Sequence, residues 1–321
     1  MKVHWMRYLV GDAGHLQRTY LAVLTASKYR ALSIRPLCEL FIERYGKLTV
    51  EGPRKRGLLD SEWRSAEPHF SFARELDFLE GRRLERWDVT FGAGRTFLTL
   101  WEAKESQTEL LLHQFLTHDR TFAIPFLTRL VEADYDFGRG RFVGLEGLAR
   151  EIWEEIWERH RHELMALEPP LPDSAKVTNR TLLHHASARI RFLNRMDGLA
   201  LNIDVLRRLA EQFHGTEDAD RMPPDSFARI KKATFGSVPA EASQEELRYA
   251  ILDAFQTLQK AGYISGYGAY LCINQRLPPD RYVAWDTLVN YARLGEGFVW
   301  KSSFRSDDFL LGLSPQRKVA M

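Results

Sequence analysis

Cysteine is nearly absent from this chain: Cys38 and Cys272 are the only two in 321 residues, far apart and each set in an apolar stretch. Such a pair excludes a cysteine-based zinc site within one chain and fits reduced core thiols in a cytoplasmic protein. Long apolar runs are missing too. None approaches the ~18 residues that a membrane span requires, so no membrane partner is expected. The opening MKVHWMRYLVGDAGHLQR has no sustained apolar segment of the kind a secretion signal carries. Also lacking are GxxxxGK followed by Ser or Thr, GxGxxG, HExxH and GxSxG, which removes the usual support for a P-loop, a dinucleotide site, a zincin or a serine nucleophile. There is no repeat at a fixed short period and no low-complexity tract. Nor is there charge of one sign in excess. A net charge of +2 makes no global basic field that would force a nucleic-acid reading.

What is present is ample material for packed cores. Hydrophobic residues make up 45% of the chain and charged ones 27%, with 19 Phe, 11 Tyr and 8 Trp, so disorder is not the dominant state. The length allows two ordinary domains or one large one. Of the 45 basic residues 34 are arginine, the side chain whose planar fork suits phosphate and guanine. A GC-rich genome would produce the same bias.

Apolar spacing of three and four predicts helices over residues 15–46, from Gln107 to Ala133, and over the charged stretch 145–167. In the last of these, Trp153 and Trp157 lie one turn apart, a core stripe. The proline-rich EPPLPDSAK (168–176) breaks any helix and is taken as the domain boundary. Beyond it two helices are expected around Gly198. The best helix of the chain then runs from Ser243, which forms a capping box with Glu246, to a stop at Gly262. A strand is expected from Tyr267 to Asn274.

Two places share one local logic, a helix, a turn and a short hairpin. LQKAGYI resembles the end of a winged-helix recognition helix leading into its first wing strand. The run from Val89 and Thr90 to Gly94 and Arg95 resembles the wing-to-helix join of prokaryotic winged-helix proteins, with Thr90 ending the strand and capping the next helix. This family is broad and includes transcription regulators, replication initiators, kleisins and phage-defence subunits. Its members bind proteins as often as DNA. The resemblance implies contacts to duplex DNA from Arg95, Arg248, Gln256, Gln259 and Lys260. The loops PRKR, GRGR and RIKK add Arg54, Lys55, Arg56, Arg139, Arg141, Lys231 and Lys232 as groups for backbone phosphates. Each loop taken singly reads equally well as solubilising charge.

One catalytic alternative stands beside this. Asp88 with Glu102 and Lys104, at the end of the apolar, strand-like run Phe97–Trp101, has the spacing of a PD-(D/E)xK nuclease, whose carboxylates hold Mg2+ while the lysine activates water. The histidines offer no metal site. His160 and His162 point to different sides of a helix, and His184 and His185 diverge likewise.

The expected protein is thus mainly α with small β-hairpins, in two lobes that each hold a winged-helix-like unit: residues 1–140, a charged helix and linker over 141–176, and residues 177–321. It is read as a non-catalytic, cytoplasmic subunit, with duplex DNA and protein subunits as partners, no cofactor, and an antiviral-defence setting implied by the resemblance. A Mg2+-dependent nuclease and a kleisin-like scaffold that binds proteins only are the alternatives.

Overall fold

The computed structural model describes residues 3–6, 16–45, 63–81, 85–133, 144–166, 176–196, 203–258, 262–294, 297–303 and 308–314. It is mainly helical, with a few small strands. Elements of the first third are α1 (Leu16–Lys28), α2 (Ile34–Tyr45), α3 (Glu67–Glu75), β1 (Leu79–Glu80), β2 (Asp88–Val89) and α4 (Ala93–Glu102). In the middle the elements among the described residues are helices: α5 (Thr108–Glu132), α6 (Leu145–Ala166), α7 (Asn179–Asn194), α8 (Ile203–Phe213) and α9 (Ser226–Phe235). The last third holds β3 (Ala240–Glu241), α10 (Gln244–Leu258), β4 (Tyr263–Ser265), α11 (Gly266–Arg276), β5 (Arg281–Tyr282), α12 (Trp285–Leu294), β6 (Phe298–Ser302) and β7 (Phe309–Leu313). Among the described residues no helix is long and apolar enough to cross a membrane.

α5 is the axis of the molecule. Its residues are buried on every side, from Leu110 through Phe115 and Phe122 to Leu130, as befits a helix enclosed by others rather than one laid on a surface. α6, α8, α9 and α11 all pack on it. The polar residues it carries inward are paired. Asp119 is inaccessible and takes both arms of Arg189 from α7, with Nε–Oδ2 2.7 Å and Nη2–Oδ1 2.6 Å. The Met6 amide donates to Asp119 Oδ1 at 2.8 Å, and Arg189 Nη2 returns a bond to the Met6 carbonyl at 3.1 Å. The guanidinium also lies over Trp5 and Phe122, 4.8 and 4.5 Å from their ring centres. One ion pair therefore joins α5, α7 and the N-terminal segment.

Most of the stretch 168–176, the expected domain boundary, lies outside the described residues. α7 packs along α6, Arg150 Nε bonds Asn179 Oδ1 at 2.8 Å, and a single apolar cluster extends from Met6 to Leu313. Trp153 and Trp157 are buried in it, as their spacing predicts.

Both ends of the chain follow one element order. At the N-terminal end, Leu32, between α1 and α2, bridges Trp87 just ahead of β2, and β2 pairs β1 antiparallel. The lateral order is therefore Leu32, β2, β1. At the C-terminal end β4 lies between α10 and α11, and the sheet order is β4–β7–β6, all antiparallel. Among the described residues each end thus runs helix, a bridge or strand, helix, helix and a two-stranded hairpin whose second strand is central, except that at the C-terminal end β5, paired with β3, stands between the last two helices.

Two sequence expectations fail locally. Tyr267 to Asn274 is helix α11, not strand. Ala269 to Ile273 is buried throughout, so no alternation marks the period, and Ser265 caps the helix through the Gly268 amide at 3.1 Å. Phe97–Trp101 is likewise the body of α4, whose start is fixed by Thr90 Oγ1 accepting from the Gly94 amide at 2.8 Å. Thr90 itself follows β2, and the N-cap of α4 is Gly92, which makes no side-chain cap bond. α4 then meets α11 almost backbone to backbone. A Cβ on Gly268 would lie 3.3 Å from Gly92 Cα, and Thr96 Oγ1 donates to the Gly268 carbonyl at 3.2 Å.

Removing one member of the Asp119–Arg189 pair leaves a buried charge alone, so Asp119→Ala is expected to lower stability by about 3–5 kcal/mol, measured by urea unfolding. The double variant Asp119→Leu/Arg189→Met is expected to be more stable than either single change.

Candidate nucleic-acid interface

The C-terminal hairpin and the helix before it form an exposed, well-braced surface. α12 buries Leu288 and Ala292 and is held at its start by the Trp285 amide, which donates to the Pro224 carbonyl at 3.0 Å. Its opposite side exposes Asp286, Asn290 and Arg293, at i, i+4 and i+7, hence on one face. Under the helix, Tyr291 meets Phe298 at 5.9 Å, and Phe298 stacks on Phe255 of α10 at 6.5 Å.

The hairpin is fixed on both faces. Asp308 accepts from the amides of Tyr267 (2.9 Å) and Phe309 (2.7 Å) and from the Ser265 hydroxyl (2.6 Å), which ties the turn end of the hairpin to the first turn of α11. Trp300 stacks on Phe309 at 6.2 Å, a diagonal cross-strand pair. The Arg293 guanidinium lies over Trp300, 5.3 Å from its ring. On β7, Gly312 has no side chain because the Tyr263 ring crosses that point; a Cβ would fall 2.5 Å from Tyr263 Cε1. The same ring carries the Lys301 ammonium at 4.4 Å. Arg293 and Lys301 are thus each held on an aromatic face, on opposite sides of the hairpin because Trp300 and Lys301 are consecutive in β6, a contact worth about 0.5–1 kcal/mol at exposed sites.

Arg248 and Gln256 are exposed on α10. Lys232 is half-buried on α9. Arg95 is half-buried and sits over Phe91 at 4.1 Å; burial lowers its pKa, with Arg30 adding to the shift and Asp88 opposing it. Lys231 is in a different position. It is fully buried, and Nζ donates to the carbonyls of Leu277 (2.7 Å), Pro278 (3.0 Å) and Arg281 (2.9 Å). With three protons engaged it has none to offer a phosphate, so the role expected of it does not hold; it is an internal clamp on the turn before α12. Arg54, Lys55, Arg56, Arg139, Arg141, Gln259 and Lys260 lie outside the described residues.

The nuclease constellation is not assembled. Asp88 precedes α4 and accepts the Val89 amide at 2.8 Å, whereas Glu102 ends that helix and Lys104 follows it in a left-handed turn, φ +57°. Among the described residues no three His, Cys, Asp or Glu gather as a metal site. His160 is buried at a kink in α6, its Nε2 2.9 Å from Asp218 Oδ1. His113 is stacked on Phe227 at 4.8 Å and is pushed down to about 3, chiefly by burial, so it stays neutral. The buried Cys272 thiol is pushed up to about 12 by burial, and Cys38 is raised likewise; neither is a nucleophile at neutral pH.

The winged-helix resemblance concerns the end of α10 and does not single out α12 or the hairpin after it. The signal was present: Trp285, Leu288 and Ala292 keep a helical period, followed by the alternating FVWKS and by FLLGL. No protein-family model, curated protein or solved structure matches this chain.

Burial lowers the Lys231 ammonium from 10.5 to about 8, against the opposing charges of Glu109 and Asp280. Between these values the unfolded chain holds a proton that the folded protein has released, so stability rises with pH there. From pH 7.5 to 9.5 the wild type is expected to gain about 1–2 kcal/mol relative to Lys231→Met, read by urea unfolding at both pH values.

Proposed function

We propose that the chain is a non-catalytic subunit that binds duplex DNA, and that residues 244–313 act as a winged-helix unit. α10, α11 and α12 take the places of its three helices, β4 is its first strand and β6–β7 its wing. The observation that carries this reading is the position of α12: it is the helix directly before the hairpin of a sheet ordered β4–β7–β6, and its polar face is open. In winged-helix and helix-turn-helix proteins that helix enters the major groove. The wing then lies along the neighbouring backbone, where Lys301 meets a phosphate. The recognition helix is α12 rather than α10, and the exposed Arg248 lies on the first helix of the unit.

The N-terminal end has the same element order and is proposed as a second winged-helix-like unit, used differently. Its third helix, α3, buries Phe70 and Phe72 completely, and Phe72 packs edge-on against Phe192 of α7 at 5.4 Å. A helix so enclosed serves packing, not groove reading. With a net charge of only +2, the chain is better suited to share phosphate contacts with other subunits than to hold DNA alone.

Fluorescence anisotropy with a labelled duplex tests this. Binding is expected at about 50 mM salt, weakening steeply toward 200 mM, with Lys301→Ala lowering the log–log salt slope by about one unit. Lys231→Met is expected to leave the slope unchanged. Absence of duplex binding at low salt overturns the proposal.

A further inference from the structure

Resting on that reading, we propose that the outward face of α7 is a second phosphate-binding surface, on which Arg180, His184 and Arg191 hold the sugar–phosphate backbone of duplex DNA. All three side chains are exposed. At about 100° per residue they lie within about 40° of one another around the helix, and Arg195, half-buried at the C-cap, continues the line. Arg189 faces the other way, into its pair with Asp119. From Arg180 to Arg191 the helix rises about 16.5 Å, the length of about five nucleotides of one strand at about 3.4 Å each.

Ordinary solvated charge is arranged differently in this protein. The chain has 45 basic and 43 acidic residues, yet α7 contains no carboxylate. Exposed arginines on other helices stand one turn from a carboxylate and bond it, as Arg159 bonds Glu155 at 2.8 Å and Arg207 bonds Asp204 at 3.0 Å. Arg180 and Arg191 have no acidic residue three or four places away in either direction. The Arg180 side chain has no hydrogen-bond or ion-pair partner among the described residues. Their placement also costs stability. A cation in the first turn opposes the helix dipole, and Arg191 stands one turn from Arg195, a like-charge pair. His184 feels the same field: its pKa is lowered, by burial first and then by Arg191 and Arg180. An anion laid along the stripe offsets these repulsions together.

That anion is a nucleic-acid backbone rather than a lipid surface. No apolar side chain of α7 is exposed, so nothing on it would sink below the headgroups. The planar fork of arginine meets phosphate oxygens in pairs. α7 is also the helix that encloses α3, through the contact of Phe72 with Phe192. The N-terminal end thus meets DNA through the helix laid against its third helix, not through that helix itself.

Fluorescence anisotropy of the full chain on a labelled duplex, read as the slope of log affinity against log salt, is the test. Arg180→Ala and Arg191→Ala are each expected to lower the slope by about one unit, and the double variant by about two. Arg180→Lys/Arg191→Lys keeps both charges and is expected to keep the slope. Arg207→Ala removes an exposed arginine from α8 and is expected to leave it unchanged; an equal fall there makes the effect one of net charge and overturns the inference. By urea unfolding the double alanine variant is expected to be no less stable than the wild type, since it removes repulsion. A loss of stability makes the arginines structural and overturns the inference. A slope that falls with Lys301→Ala but not in the double variant also overturns it, and leaves the winged-helix reading standing. Co-sedimentation with phosphatidylserine vesicles that the double variant loses, beside an unchanged duplex slope, assigns the stripe to a membrane and overturns it too. Absence of duplex binding at low salt overturns both readings.

Discussion

The buried Asp119–Arg189 pair is the constraint around which the rest is arranged. An ion pair removed from water survives only where further hydrogen bonds and close contacts offset its desolvation. Here the Met6 backbone supplies both a donor and an acceptor, while Trp5 and Phe122 cover the guanidinium. Meeting that requirement draws an N-terminal segment, the long central helix and α7 into one register. Arg120, the next residue of α5, extends the same logic. Its Nε donates to the Thr216 carbonyl at 2.9 Å and its Nη2 lies 3.0 Å from His4 Nε2, so the segment before α9 is fixed as well. α9 in turn carries Lys231, which clamps the turn leading into α12.

One element order thus serves two ends of the chain with opposite outcomes. Aromatic residues decide the difference. Where the helix before the hairpin carries Phe70 and Phe72, it sinks into the core against Phe192. Where it carries Asp286, Asn290 and Arg293, one face remains in water. The aromatic residues of the second hairpin are spent instead on bracing that face from below and from the side.

How legible this was depends on which local signal was single-valued. The Ser243–Glu246 capping box is as read, with Ser243 N to Glu246 Oε2 at 2.7 Å and Glu246 N to Ser243 Oγ at 3.3 Å, because a cap is a local bond that needs no tertiary context. Gly262 takes the expected left-handed conformation, φ +81°. Trp153 and Trp157 were legible from period alone. By contrast Ala269–Ile273 has no polar side to reveal its period, and two glycines at its start point away from helix. Lys231 next to Lys232 reads as a basic loop until α9 turns the first of them inward. The α12 stripe escaped because its residues are ordinary one by one; only a topology that puts this helix before a hairpin sets them apart.

The contact between α4 and α11 has a consequence in time. Thr96 and Gly268 are 172 residues apart in the chain, and ribosomes add about 5–20 residues per second. For roughly ten to thirty seconds of each synthesis, α4 has therefore left the ribosome without the helix that covers it. Thr96, Phe97 and Leu100, all buried in the finished protein, spend that interval with part of their cover unmade. This is the period in which a nascent chain is most open to chaperones and to mispairing with its neighbours. The glycines that let α4 and α11 approach so closely also make their contact wait for most of the chain.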